Sequence, residues 1–122
     1  MVRTVDGDLL KLEGKNKVLE IRTEIVENTA VMRLAGSVTA DVETELMDEI
    51  LAFISVGRNI QLDFAMLDHI SNTAQMKLLD IQCNYVEKKN IEMEIVDVPA
   101  KLYALFRAVR LDTVLRIKRK EG

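Results

Sequence analysis

The chain has 122 residues, 48% of them hydrophobic and 30% charged, a balance that predicts one folded domain with a substantial core rather than a disordered segment. Its net charge of −3 and aromatic content of 4%, with no tryptophan, argue against a nucleic-acid surface, because neither a broad basic face nor a set of stacking platforms is present. No apolar run approaches the roughly 20 residues of a membrane span. The single Cys83 excludes an internal disulfide, and together with an N-terminus lacking an apolar signal core it predicts a cytoplasmic setting.

Residues 1–17 read as a partly ordered N-terminal extension, in which residues 9–12 form a candidate short strand. Residues 18–25 alternate, with Leu19, Ile21 and Ile25 on one side and Glu20, Arg22 and Glu24 on the other, as in a half-buried strand. Glu27-Asn28 supplies a turn into the apolar run 30–35, which predicts a hairpin. Thr39 then offers a helix N-cap, with Asp41 and Glu43 in the first turn where negative charge suits the helix dipole. Val42, Leu46, Ile50, Phe53 and Ile54 fall on one helical face, and Gly57 is placed to end the helix in a left-handed conformation.

Residues 59–65 form the next strand, so strand, helix and strand make a crossover unit that favours parallel pairing. A short loop leads into a second helix that opens on Ser71-Asn72-Thr73. Its stripe is Met76, Leu79, Cys83 and Val86, widened by Leu78, Ile81 and Tyr85, and Lys88-Lys89-Asn90 ends it. Residues 91–96 alternate as a strand with one covered face. Asp97 and Pro99 start a third helix, with Leu102, Leu105, Phe106 and Val109 directed inward. Residues 114–117 form a last short strand, and 118–122 a solvated basic tail. The class is α/β: a mostly parallel or mixed central sheet with three main helices.

Few residues offer catalytic or metal chemistry. One histidine and one cysteine cannot make a His/Cys metal site, no acidic pattern matches a cation loop, and no metal or other cofactor is expected. Ser71, His69 and Asp68 could be assembled into a triad on paper, but neighbours in sequence rarely meet in that geometry, and neither a nucleophile elbow nor a glycine-rich phosphate loop is present. Cys83, on its apolar stripe, reads as a buried thiol. These exclusions leave a non-enzymatic protein-interaction role. The best candidate site is the strand-to-helix junction, where hydroxyls and unpaired backbone N–H groups face outward.

From residue 18 to residue 117 the chain resembles the STAS domain, the fold of bacterial anti-sigma factor antagonists. The resemblance rests on LAGSVTADVETEL (34–46), LDFAMLDHISNTAQMKLL (62–79) and KLYALFRAVRLDTVLRI (101–117), in that order. Leu62, Phe64, Leu67 and Ile70 match the family's apolar positions and fix the register onto its Asp-Ser-Ser/Thr-Gly motif. Ser71 then stands at the aspartate, Asn72 at the phosphorylated serine, Thr73 at the following Ser/Thr and Ala74 at the glycine. Arg110 stands where a glycine commonly precedes the residue matching Leu111.

The resemblance implies a STAS-like sandwich that binds an anti-sigma factor, typically a serine kinase, and so frees a sigma factor. In such proteins phosphorylation of the motif serine breaks the complex, as about −1.5 to −2 of added charge at an interface would. Direct nucleic-acid binding and membrane insertion are not implied, and a homodimer is compatible with the sequence. The implied contact surface is His69, Ser71, Asn72, Thr73 and Gln75, with Thr73 and Ser71 the candidate phosphoacceptors, since Asn72 has no hydroxyl. Three readings remain open: an antagonist regulated through Thr73 or Ser71, an interaction module without a phospho-switch, and a helix cap with function on another surface or in a small-ligand pocket.

Overall fold

A computed structural model describes residues 1–121. Seven strands form one sheet in sequential order, β1 (Val2–Asp6), β2 (Leu9–Glu13), β3 (Val18–Val26), β4 (Thr29–Val38), β5 (Asn59–Ile70), β6 (Met93–Val98) and β7 (Arg116–Arg119). The first four strands pair antiparallel through short turns, and β4 through β7 pair parallel. Helices α1 (Glu43–Ser55), α2 (Asn72–Ile81) and α3 (Ala100–Ala108) occupy the three parallel connections. Because each connection advances one strand in the same direction, and such crossovers are right-handed, all three helices belong on one face.

Strand alternation supplies the inner layer. Leu10 and Leu12 sit across from Ile21 and Leu19, Ile21 from Leu34, Met32 from Leu62, and Leu62 from Ile95. These residues join Leu46 and Ile50 of α1, Leu78 of α2 and Leu102 and Phe106 of α3 in one core cluster. Phe64 and Phe106 are both buried, with ring centroids 6.2 Å apart and planes tilted by 56°, which holds α3 on the sheet. The opposite face carries charge: Arg33 pairs with Glu24 at 3.3 Å, Arg116 with Glu92 at 3.1 Å, and Lys118 with Glu94 at 3.3 Å.

Several expectations need correction. The N-terminal segment is a hairpin continuous with the sheet, because Leu10 and Leu12 are needed to cover the end of the core. Lys118 and Arg119 belong to β7 rather than to a tail: Lys118 pairs with Glu94 of β6, and Arg119 sits in register with Val98. The loop expected before α2 is strand: β5 continues to Ile70 beside Ala35–Val38, absorbing two register irregularities. Thr39 does not cap α1. Its hydroxyl donates to Asp41, which also accepts from the Lys15 N–H, and α1 starts after Val42 without a side-chain cap.

The second helix buries Leu78, Ile81 and Val86 as expected, but its inward face is centred one residue away from Met76 and Cys83. Ala74, Gln75, Leu78 and Ile81 face the core, whereas Met76 is 46% exposed and Cys83 is exposed, not buried. A π-helical turn over Gln82–Val86 adds one residue to the repeat, so Val86 rather than Tyr85 reaches the core below Ile81. In α3, Leu102 and Phe106 point inward as expected, but Leu105 and Val109 face solvent.

Two backbone positions yield tests. Gly36 has φ of +106°, and a β-carbon there would collide with the Val18 carbonyl oxygen of the adjacent strand. Gly36→Ala is expected to lower the urea midpoint by the equivalent of about 2–4 kcal/mol. Arg110 sits at φ +61°, a left-handed conformation that disfavours any side chain with a β-carbon. Arg110→Gly is expected to raise stability by about 0.5–1 kcal/mol, read as a rise in Tm of a few degrees; a fall in Tm would show that the Arg110 side chain contributes more than its backbone conformation costs.

Candidate functional site

The junction between β5 and α2 is built from the last inward residue of the strand and the cap of the helix. Ile70 is buried, and the Ser71 N–H donates to the Val38 carbonyl at 2.9 Å, which ties the junction to the end of β4. Ser71 takes extended dihedrals as the N-cap, and its Oγ accepts from the Ala74 N–H at 3.2 Å. Asn72 and Thr73 follow as the first exposed residues of α2. The family-like triplet therefore sits at a helix N-terminus, with its first residue half-buried and the next two in solvent.

Glu43 is the residue that sequence reasoning missed. It was legible only as a favourable charge in the first turn of α1. In the structure it is buried, and its carboxylate meets the second helix. Ser71 Oγ donates to Glu43 Oε2 at 2.9 Å, Thr73 Oγ1 donates to the same oxygen at 2.7 Å, and Lys77 Nζ pairs with Oε1 at 3.0 Å. Burial pushes the Glu43 carboxyl up, but the hydrogen bonds from Thr73, Lys77 and Ser71 outweigh it and hold the group below its ordinary range. The carboxylate thus lies against the N-terminal ends of both α1 and α2, where the helix dipoles also favour negative charge.

The remaining predicted site residues are divided by burial. His69 is exposed beside Ser37 near the end of β5, and Asp68 is exposed one residue earlier. Ser71 is hydrogen-bonded to Glu43 and Ala74, not to His69, so the structure does not assemble the Ser-His-Asp arrangement. Gln75 is buried at 3% exposure, and its Nε2 donates to the Ile70 carbonyl at 3.3 Å. It braces the junction from within and offers no side-chain surface. What a partner can touch directly is His69, Asn72 and Thr73, backed by Ser71 and Glu43. No helix among the described residues is long and apolar enough to cross a membrane.

The depressed Glu43 titration has a definite sign. Its ionised form is favoured in the folded protein, so its contribution is present above the unfolded value and is lost as pH falls through the lower folded value. Glu43→Gln is expected to cost about 1–2 kcal/mol at neutral pH and progressively less as the pH falls below the ordinary carboxylate range in paired urea titrations. A pH-independent difference between the two proteins would remove the charged clamp.

A family model described as "Mlab, STAS domain" matches residues 21–117. No curated protein matches the chain at a significant level. Among solved structures, the fold is similar to that of an anti-sigma factor antagonist from Mycobacterium paratuberculosis, with 11% identity, a TM-score of 0.72, and 82% of this chain and 85% of that chain covered. It is also similar to the anti-sigma factor antagonist SpoIIAA in its unphosphorylated form (17% identity, TM-score 0.68, 80% and 86% covered). The Bacillus cell fate determinant SpoIIAA in its phosphorylated form matches at 16% identity with a TM-score of 0.63, over 80% of this chain and 89% of that one. At these identities the structural likeness is one of fold, and it agrees with the seven-stranded sheet and three helices described above. With the family model spanning the sheet from β3 to β7 and all three helices, the chain belongs to the STAS-domain family.

Proposed function

We propose that this STAS domain is a bacterial cytoplasmic regulator that works by protein–protein contact, as an anti-sigma factor antagonist. It binds an anti-sigma factor of the serine-kinase type and so releases a sigma factor, without catalysis of its own. The observation that carries the reading is the α2 N-terminus: Asn72 and Thr73 are presented outward on a junction braced by Glu43, Lys77 and Gln75. A rigid, exposed helix start with fixed hydroxyls suits recognition by a partner surface. The likeness of the fold to two anti-sigma factor antagonists supports the same reading.

Regulation centres on Thr73. Of the two candidate acceptors Thr73 is the exposed one, whereas Ser71 is half-buried and serves as the helix cap. A phosphate on Thr73 would stand against the Glu43 carboxylate, which its hydroxyl now contacts at 2.7 Å, and repulsion would displace the start of α2. A second reading, an interaction module without a phospho-switch, is favoured by one specific observation. Asn72 cannot carry phosphate, and both neighbouring hydroxyls are already donated to Glu43.

The deciding experiment is a pull-down of the candidate anti-sigma kinase with this protein, with and without ATP, read by mass spectrometry. The antagonist reading expects a complex that Thr73→Glu weakens about tenfold or more, and phosphate on Thr73 after incubation with ATP. A complex that ATP leaves unmodified establishes the non-switching module. Absence of a complex with any anti-sigma kinase overturns the antagonist assignment.

A further inference from the structure

Strand β5 outruns its neighbour. Its pairing with β6 ends at Asp63 opposite Val96, yet the strand continues to Ile70 with only β4 beside it. A bulge marks the change: the β4–β5 register shifts between Arg33 and Ala35, and Asp63 Oδ1 accepts from the Ala65 N–H at 2.9 Å. Chain on the far side turns away at Pro99 into α3. Between the two lies a crevice of about 590 Å³, with Ala65, Met66, Leu67 and Asp68 as one wall and the start of α3 with Lys101 and Lys120 as the other. The β6-facing edge of β5 along that wall therefore has no strand next to it.

A bare strand edge accepts another strand, because its outward backbone N–H and C=O groups repeat at the spacing of a ladder. The charges around it select the occupant. Lys101 and Lys120 are exposed, and neither forms an ion pair with any described residue. Asp68 is the single acidic group on the lining, so the two lysines outweigh it. Met66, 70% exposed, adds an apolar contact at the rim.

We propose that this crevice is a second docking site, which takes a short extended segment of a partner protein bearing apolar and acidic residues. The segment lies along β5 from Met66 to Asp68, beyond the Ala65 N–H that Asp63 already holds, as an added strand and sets its carboxylates against Lys101 and Lys120. The site is separate from Asn72 and Thr73 and does not depend on the antagonist reading.

The test uses the full chain, isotope-labelled for NMR, titrated with an acetylated and amidated Val-Glu-Val-Asp-Val peptide and with a Val-Lys-Val-Lys-Val control. The acidic peptide is expected to shift the amides of Ala65–Asp68 and Lys101. The double variant Lys101→Glu/Lys120→Glu is expected to bind it at least about tenfold more weakly and to gain affinity for the basic peptide. The proposal is overturned by absence of shifts along β5, by equal shifts from the basic peptide, or by the same shifts from N-acetylglutamate at equal concentration, which would mark a simple carboxylate site.

Discussion

The order of the strands constrains everything else in this protein. Because β4 to β7 follow one another without a reversal, each right-handed crossover deposits its helix on the same side. The sheet is thus asymmetric, with one face sealed by α1, α2 and α3 over a single apolar cluster and the other left to water and to cross-strand ion pairs. The same constraint brings the N-termini of the helices to the end of the sheet where the parallel strands finish. The candidate site lies there because the fold collects helix starts at that end.

Glu43 converts this placement into a mechanical link. One buried carboxylate from the first turn of α1 accepts from the cap and the second residue of α2 and pairs with Lys77 one turn further on. The arrangement is economical in charge, since one anion satisfies two hydroxyls and one ammonium that would otherwise compete for water. It also means that the surface offered by α2 is held by a residue that no partner can reach. Thr73 and the first turn of α1 are thus joined through a single side chain.

Most of the frame was legible because strands alternate and helices repeat. The hairpin of β3 and β4, the crossover through α1, the left-handed Gly57 and the register of Leu62, Phe64 and Ile70 all follow from local pattern. Where two patterns compete, periodicity cannot choose. Met76-Leu79-Cys83 and Ala74-Leu78-Ile81 are both regular helical stripes, and the core took the second, whose Leu78 and Ile81 the sequence also placed on the apolar face, because Ser71 fixes where the helix begins. The site was half legible. Ser71, Asn72 and Thr73 could be placed by motif order, but Glu43 lies 28 residues from Ser71 in sequence, and only the packing of α1 against α2 brings them together.

The π-turn after α2 has an evolutionary consequence. One residue more than an α-helical repeat separates Ile81 from Val86, so the loss of a single residue between them would restore a regular helix and still present an apolar side chain to the core. Chain length at this point is therefore nearly free of the core's demands, unlike at Gly36, where even a β-carbon meets the neighbouring strand. The exposed outer surface of that turn, with Cys83 and Tyr85, is where family members can diverge most cheaply.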